Sequence, residues 1–199
     1  MGPNQFPSAD ILPTHVFKEP VEQYFATMRQ LTFTVLDILA RTLPYGPRIF
    51  DEFVSGIPAM PMRMLHYPPQ AVKDVKQFGS SAHTDFSAIT LLLQDNNGGL
   101  EVQDPTTGQW IGVPPMEDAF VFNVGDMLHT WTKGLYKSSR HRVINTSGND
   151  RLSVAFFIDG NLDCKLAPFD GSEPIGGKAM TVEEHMIACV RGSYVRPPT

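Results

Sequence analysis

The stretch Arg151-Leu-Ser-Val-Ala-Phe-Phe-Ile-Asp159 has the length and the aromatic, β-branched composition that are typical of a β-strand. Side chains two apart in an extended chain point to the same side of the sheet. One face therefore carries Arg151, Ser153, Ala155 and Phe157, and the other carries Leu152, Val154, Phe156 and Ile158. An arginine thus shares one face with small residues. If that face lines a barrel interior, the guanidinium needs an anionic partner, because an unpaired buried charge costs several kcal/mol.

Two kinds of partner are open for Arg151. On the protein surface it would pair with Asp150 or Asp159. Inside a barrel, a bound carboxylate would neutralise it, since a planar guanidinium can hold a carboxylate through two hydrogen bonds. The Ser153 hydroxyl and a phenol such as that of Tyr67 would add hydrogen bonds to the same acid.

Six further runs of strand length precede this stretch. They are Arg63–Tyr67, Ala88–Gln94, Leu100–Gln103, Gln109–Val113, Ala119–Val124 and Arg140–Asn145. The segment Asp104-Pro-Thr-Thr-Gly108 separates two of them and predicts a hairpin loop. Many short strands joined by tight turns favour an antiparallel sandwich or barrel.

Helices are predicted on both sides of the strand region. Apolar residues recur every three or four positions from Pro20 to about Leu43, and a shorter helix is predicted over Arg48–Val54. Thr181-Val-Glu-Glu184 is a capping box that opens a third helix through Val190. The first residues are spaced by prolines without periodicity. We therefore predict an irregular N-terminal arm over 1–18 and one domain over 19–199.

The composition excludes several classes of protein. The chain has 199 residues, of which 42% are hydrophobic and 19% charged, and its net charge is −5 without any run of basic residues. This balance disfavours nucleic-acid binding. No apolar run approaches the roughly 20 residues that span a bilayer, and the N-terminus lacks a secretory signal pattern. We therefore expect a cytoplasmic protein without membrane partners, in which Cys164 and Cys189 are reduced thiols.

The residues His83-Thr-Asp85 and His141 are the candidates for a metal site. His83 and Asp85 are two apart, so in extended backbone both side chains can reach one ion, while His141 must come from another strand. Two histidines and a carboxylate on one face of an octahedron leave the opposite face open, as in non-haem Fe(II) oxygenases. The alternative is that His83 and Asp85 form only a loop hydrogen bond.

The motifs together resemble a known family. They are Gly79-Ser-Ser-Ala-His83-Thr-Asp85-Phe-Ser-Ala-Ile-Thr-Leu-Leu-Leu-Gln-Asp95, His66-Tyr67-Pro68-Pro69, Phe122-Asn-Val-Gly-Asp126, Tyr136-Lys-Ser138 before His141-Arg-Val143, and Arg151-Leu-Ser153. In their order along the chain they resemble the iron- and 2-oxoglutarate-dependent dioxygenases of the isopenicillin N synthase-like superfamily. The resemblance covers most of the chain, from about Asn4 to the C-terminal helix.

The resemblance implies a fold and a chemistry. It implies a mainly β fold with flanking helices around a double-stranded β-helix (jelly-roll) core. His83, Asp85 and His141 would be the catalytic ligands of Fe(II). Arg151 and Ser153 would bind the distal carboxylate of the cosubstrate 2-oxoglutarate, with Tyr67 as a third contact. The family couples the decarboxylation of 2-oxoglutarate to O₂-dependent hydroxylation, desaturation or cyclisation of a substrate, here expected to be a small organic metabolite of secondary metabolism.

Two other functions stay open on the sequence. A relative could oxidise its substrate without 2-oxoglutarate and use Arg151 and Ser153 to hold the substrate's own carboxylate. A truncated relative could also be a binding module without catalysis. Longer family members carry a portion before the segment that aligns with residues 2–7, including an early strand. The resemblance thus predicts a chain that lacks this portion and has an unpaired sheet edge, which favours dimerisation or aggregation.

The remaining histidines and apolar residues receive structural roles. We expect His129 in a pocket wall or a buried hydrogen bond, His66 on the side of its strand opposite Tyr67, and His185 with Cys189 on one helix face. Trp131 and the alternating methionines at 60, 62 and 64 are expected to pack in the core. The candidate pocket linings are Phe86, Leu92, Phe122 and Phe157.

Overall fold

Short β-strands dominate the computed structural model, which describes residues 4–69, 78–174 and 177–193. In chain order, the elements are α1 (Lys18–Thr42), β1 (Met62–Tyr67), β2 (Ser80–His83), β3 (Ile89–Gln94), β4 (Leu100–Gln103), β5 (Trp110–Gly112), β6 (Val121–Val124), α2 (Asp126–Trp131), β7 (His141–Val143), β8 (Arg151–Ile158), β9 (Lys165–Leu166), β10 (Met180–Thr181) and α3 (Val182–Ser193). The ends of the predicted arm and domain, residues 1–3 and 194–199, lie outside the described residues.

Two four-stranded sheets form the centre of the fold. The first has the strand order β1-β8-β3-β6 and the second has the order β2-β7-β4-β5, with antiparallel pairing throughout. Side chains of both sheets line one interior cavity, so the two sheets enclose it between them. The strands β9 and β10 form a separate antiparallel pair. The predicted antiparallel class is therefore confirmed, with β1 as an outer strand of the first sheet.

The alternating polar and apolar residues of strand β8 correspond to its two faces. Arg151, Ser153 and Ala155 are buried and line the interior cavity, as the period of two predicts. On the other face, Leu152 is 55% exposed whereas Phe156 is buried. The difference arises because α1 covers the second half of the strand, where the rings of Phe25 and Phe156 lie 5.2 Å apart.

The apolar core lies between α1 and the first sheet. Helix α1 contributes Met28, Leu36 and Leu39 to it, which follow the predicted spacing. Trp131 is buried, stacks on Phe169 with 5.3 Å between ring centroids, and donates its indole N–H to the carbonyl of Lys165. The core role predicted for Trp131 is therefore confirmed.

The methionines divide between core and surface. Met60 is 7% exposed and belongs to the core, and Met62 packs against it, whereas Met64 is 49% exposed. All three line a surface groove beside α1 and not the cavity between the sheets. Core packing is thus correct for Met60 and Met62 and wrong for Met64, which lies on the outer strand β1 where no further strand covers it in the described chain.

The structure differs from the sequence-based expectations in three local elements. Residues 47–54 form consecutive turns, so the short helix predicted over Arg48–Val54 is wrong; two backbone hydrogen bonds there, Ile49 N to Gly46 O and Asp51 N to Arg48 O, span only three residues. Burial of Phe50 and Phe53 against Trp131 overrides the helical propensity of this segment. Strand β2 and the six-residue helix α2 were not predicted from the sequence.

The capping box at α3 is confirmed. The backbone N–H of Thr181 donates to Glu184 Oε2 at 2.9 Å, and the backbone N–H of Glu184 donates to Thr181 Oγ1 at 3.2 Å. These reciprocal bonds satisfy two donors that a helix start leaves open. In the described part of the chain, no helix has the length and apolar content needed to cross a membrane.

We expect Gly125→Ala to destabilise the fold. A Cβ at position 125 would overlap the backbone carbonyl of Ser87 and approach the carbonyl oxygen of Asp85 at 3.0 Å. Overpacking of this kind costs about 1–3 kcal/mol of unfolding free energy. Urea denaturation measures the loss. The control is Gly112→Ala in β5, where an added Cβ meets open space; equal stability of the two variants would contradict the prediction.

Candidate functional site

Three side chains converge at one end of the interior cavity. His83 is the last residue of β2 and His141 the first of β7, and the two residues are paired directly across the antiparallel ladder. Their ring centroids lie 4.3 Å apart. Asp85 follows β2 by two residues, and one ligand atom from each of the three side chains lies within 4.8 Å of the other two.

Backbone carbonyls orient both imidazoles. His83 Nδ1 lies 2.6 Å from the carbonyl oxygen of Ser81, and His141 Nδ1 lies 3.1 Å from that of Ser139. A carbonyl oxygen only accepts hydrogen bonds, so each Nδ1 carries the proton. Each neutral ring therefore keeps its lone pair on Nε2. These Nε2 atoms lie 3.8 Å (His83) and 3.6 Å (His141) from Asp85 Oδ1.

The second carboxylate oxygen of Asp85 accepts two hydrogen bonds that fix the side chain. Asp85 Oδ2 accepts a hydrogen bond from Thr90 Oγ1 at 2.6 Å and from Asn123 Nδ2 at 2.8 Å. Thr90 and Asn123 are paired neighbours on β3 and β6. Both donors fix the buried carboxylate so that Oδ1 stays directed to the two imidazoles. Neither positioning residue was predicted from the sequence, although the period of two would have placed Thr90 on the cavity face with Leu92.

The donor set suits a divalent transition metal. Two neutral imidazole nitrogens and one carboxylate oxygen approach from one side, and both the ring tautomers and the carboxylate are already oriented for ligation. Among the described residues, these three are the one group of His, Cys, Asp and Glu side chains with such geometry. Of the two interpretations that the sequence left open, an isolated loop hydrogen bond does not account for the position of His141.

The other histidines lie elsewhere. His129 is exposed on α2, and its Nδ1 accepts a hydrogen bond from the backbone N–H of Ser138 at 3.2 Å, so the expected place in a pocket wall or buried bond is wrong. Helix α2 turns His129 outward because Met127 and Leu128 occupy its buried side. His66 faces away from Tyr67 as predicted and pairs with Asp150 at 2.7 Å. His185 Nε2 lies 3.1 Å from the carbonyl of Phe86.

The interior cavity has a volume of about 140 Å³, and the guanidinium of Arg151 lines it together with the three candidate ligands. Arg151 is 1% exposed there. Its Nε donates to the carbonyl of Gly98 at 2.5 Å, Nη1 donates to Ser153 Oγ at 3.3 Å, and Nη2 donates to Gln94 Oε1 at 3.1 Å. The Tyr67 ring lies 5.0 Å from the guanidinium carbon. All these groups are formally neutral.

Arg151 therefore lies inside the fold without an acidic partner. Within the described residues it forms no salt bridge, Asp150 pairs with His66, and Asp159 is at the far end of β8, so the surface pairing considered above is wrong. Burial lowers the pKa of the guanidinium from its ordinary value, while Tyr67 and Asp95 raise it. The group remains protonated in proteins. A bound carboxylate would remove the uncompensated charge.

A second, outer cavity of about 380 Å³ adjoins the same centre. His83 and Asp85 line both cavities, and so do Arg63 and Phe157. Helix α3 contributes Met186 and Val190 to the outer cavity. Of the predicted pocket linings, Phe86 and Phe157 line the outer cavity and Leu92 and Phe157 the interior one. Phe122 is 42% exposed and lines neither, because it points to the outer face of β6.

Asp159 is a buried acid that the sequence analysis did not assign to the site. It follows β8 and continues the alternation through Phe157, which is the signal that would have placed it on the cavity side. It is 2% exposed, and its Oδ2 accepts no hydrogen bond in the described part of the chain. Burial raises the pKa of the Asp159 carboxyl to about 6; Arg63 lowers it and the charge of Asp85 raises it further.

The matching family profile and the similar curated proteins indicate the same family. The profile described as the 2OG-Fe(II) oxygenase superfamily matches residues 58–160. The chain is 54% identical to the 2-oxoglutarate-dependent dioxygenase citB of Monascus ruber over 199 residues, which is 98% of this chain and 60% of that protein. It is 49% identical to the clavatol oxidase claD of Penicillium crustosum over 201 residues, covering 97% of this chain and 59% of that protein.

Solved structures show the same fold. A full-length Neurospora crassa protein in complex with alpha-KG superimposes with a TM-score of 0.81 at 28% identity, over 96% of this chain and 62% of that one. JOX2 in complex with 2OG, Fe and JA gives 0.79 at 26% identity, over 96% and 59%. These oxygenases have a jelly-roll fold, so the predicted jelly-roll core is confirmed. The chain spans about 60% of the length of the curated relatives it matches.

We expect Asp159→Asn to stabilise the metal-free chain at high pH. Because the carboxyl pKa is raised from 3.8 to about 6, folding favours the protonated acid. Its stabilising contribution is complete below pH 3.8 and is lost as the pH rises through about 6. The variant should match the wild type near pH 4 and exceed it by on the order of 2 kcal/mol at pH 8.

Urea denaturation in the presence of a chelator at both pH values measures this difference. The exposed Asp163→Asn serves as the control and should change stability equally at both values. A gain for Asp159→Asn that does not depend on pH would contradict the buried, unpaired state of this carboxyl.

Proposed function

The chain belongs to the 2OG-Fe(II) oxygenase superfamily, and we propose that it couples the oxidative decarboxylation of 2-oxoglutarate to the O₂-dependent hydroxylation, desaturation or cyclisation of a small organic metabolite. The observation that carries the proposal is the shared interior cavity, which is lined by three convergent ligand side chains and by an unneutralised guanidinium. Neither feature serves the packing of the fold.

His83, Asp85 and His141 are the proposed ligands of Fe(II). Nε2 of each histidine and Oδ1 of Asp85 would hold the ion, while Ser81, Ser139, Thr90 and Asn123 keep the ligands in orientation. Three protein ligands leave the remaining coordination positions open to the two cavities. When bound, Fe(II) would supply the dioxygen binding and redox chemistry that amino-acid side chains lack.

Arg151 and Ser153 are the proposed binding groups for the distal carboxylate of 2-oxoglutarate. The hydrogen bonds to Gly98, Ser153 and Gln94 use three of the five guanidinium N–H groups, and a bound carboxylate would interact with the remaining ones beside Tyr67. Because Ser153 Oγ accepts a bond from Arg151, its own hydroxyl hydrogen is free to donate to the acid. Tyr67 lines the same cavity and is the proposed third contact.

Charge balance supports this assignment. A ferrous ion with the Asp85 carboxylate and the dianion of 2-oxoglutarate leaves one negative charge uncompensated. The Arg151 guanidinium neutralises it, which a low-dielectric interior favours. The outer cavity is the proposed substrate cavity because His83 and Asp85 line it from the metal side.

The two alternative functions are not favoured. Relatives that are 54% and 51% identical bear the name 2-oxoglutarate-dependent dioxygenase. The similar Neurospora crassa protein and JOX2 were both solved with the oxoacid. A binding module without catalysis would have no need for all six proposed site residues.

Several finer assignments accompany the proposal. We keep the cytoplasmic location, the role in secondary metabolism, the absence of nucleic-acid and membrane partners, and the division at residue 18 as predictions. The acidic balance of the chain and the start of α1 at Lys18 support the last two.

We expect His141→Ala to abolish tight Fe(II) binding. Loss of an outer-sphere partner already costs about 10- to 100-fold in metal affinity, so loss of a direct ligand should cost at least about 100-fold. Anaerobic titration with Fe(II) measures the affinity. The control is His129→Ala, which removes an exposed histidine outside the site. Equal affinities of the two variants would contradict the ligand assignment.

We expect succinate formation by the Fe(II)-loaded chain to require added 2-oxoglutarate, and Arg151→Lys to raise the KM for 2-oxoglutarate about tenfold or more. Lysine keeps the charge but loses the two-pronged hydrogen bond, which accounts for about 1.5–3 kcal/mol. The exposed Arg140→Lys, next to His141, is the control and should leave KM unchanged. If 2-oxoglutarate does not stimulate succinate formation by the wild type, the proposed function is wrong.

A further inference from the structure

The unpaired carboxylate of Asp159 lies in the wall of the outer cavity. The backbone around it is fixed, because the N–H of Asp159 donates to the carbonyl of Ala59 at 2.9 Å at the end of β8. The side chain is 2% exposed, and within the described residues Oδ2 has no hydrogen-bond donor. Rotation about the Cβ–Cγ bond exchanges the two carboxylate oxygens, so the unpaired acceptor can be presented to the cavity.

No protein cation neutralises this acid in the described chain. Arg63 lies on the same side of the cavity, but its guanidinium forms no salt bridge and lies 5.9 Å from the centroid of the Phe157 ring. Arg63 is exposed at the boundary between the two cavities. The acceptor on Asp159 therefore remains available, although burial without a partner costs free energy.

The outer cavity has both polar and apolar walls, and its polar walls include the hydroxyl groups of serines and of Thr84. Pro61, Phe157, Met186 and Val190 contribute hydrophobic surface from the start of β1, from β8 and from α3. The volume of about 380 Å³ lies within the roughly 300–1,000 Å³ range of small-molecule sites. Among the groups that line this cavity, Asp159 offers a buried acceptor without a donor next to hydrophobic surface, which suits an apolar body that bears one donor.

We propose that Asp159 accepts a hydrogen bond from a hydroxyl group of the substrate, so that the outer cavity selects hydroxyl-bearing compounds with an apolar, ring-sized body. The inference rests on the proposed function, which makes the outer cavity the place where the substrate meets the metal centre. Asp159 is thus a specificity-determining residue, and it is not a metal ligand.

A buried acceptor discriminates strongly between a hydroxyl and its methyl ether. An analogue without the donor leaves the carboxylate unpaired and desolvated, which is the most effective way for a site to reject a close analogue. The expected preference is about 10- to 100-fold, from the free energy of a hydrogen bond to a charged group.

The test compares 2-naphthol with 2-methoxynaphthalene, which share one apolar skeleton and differ in the donor. Equilibrium dialysis under anaerobic conditions, with the chain loaded with Fe(II) and 2-oxoglutarate, measures both affinities. The wild type should prefer 2-naphthol by at least about tenfold. Asp159→Leu should remove the preference by weakening 2-naphthol alone, whereas Asp163→Leu, at an exposed aspartate, should retain it.

Asp159→Asn provides a second variant in case the leucine variant does not fold, which thermal melting reveals. The asparagine side chain is a weaker acceptor and adds an N–H donor that can bind the ether oxygen. The preference for 2-naphthol should therefore fall several-fold because 2-methoxynaphthalene binds more tightly. Equal affinity of the two compounds for the wild type, including no binding of either, overturns the proposal. So does a preference that both Asp159 variants retain.

The binding test of Asp159 and the activity test of the proposed function can fail independently of each other. Succinate formation from 2-oxoglutarate reports on the metal centre and Arg151, and the binding preference reports on Asp159. A hydroxyl preference in a chain that forms no succinate would reject the oxygenase proposal and leave hydroxyl recognition by Asp159 standing.

Discussion

The site depends on the direct pairing of His83 with His141 across β2 and β7. This pairing brings together two imidazoles that are far apart in the chain, and the ladder is irregular between Ser80 and His83, where a regular strand would have continued its alternation. The third ligand comes through the other sheet, since the paired residues Thr90 and Asn123 hold Asp85. The centre is therefore located where the two sheets meet, and its geometry follows from the registers of both.

At Arg151, which also lines the interior cavity, hydrogen bonds are formed but the charge is not neutralised. Arg151 directs three of its five N–H groups to neutral acceptors, which orient the guanidinium without neutralising it. A fold selected for stability alone would favour an acidic partner or an apolar residue at this position. The same holds for the unpaired Asp159 at the other end of β8. Strand β8 and the residue that follows it thus carry two buried charged side chains without a salt bridge in the described chain, and both are more consistent with ligand binding than with packing.

Much of this organisation could be predicted from periodicity. The seven predicted strands coincide with strands of the structure within a few residues, because alternation and turn residues are local signals. The three metal-ligand candidates and Arg151 were recognisable from spacing and from the family resemblance. Strand β2 was not recognised because Ser80–His83 contains no β-branched residue and no Phe, Tyr or Trp, and only its pairing with β7 makes it extended. Asn123 and Gln94 act through partners distant in sequence, so strand register was needed to find them. Alternation alone would have placed Thr90 and Asp159 on the cavity side.

The anchoring of α3 has a consequence for how relatives of this protein can diverge. The helix is attached at its first turn through Thr181 and Glu184, beside the β9–β10 pair, and it contributes Met186 and Val190 to the outer cavity without touching the interior one. Replacement of residues on this helix would reshape the outer cavity while the proposed iron ligands stay in place. Evolution can thus change selectivity at the C-terminal helix while the chemical machinery is inherited intact.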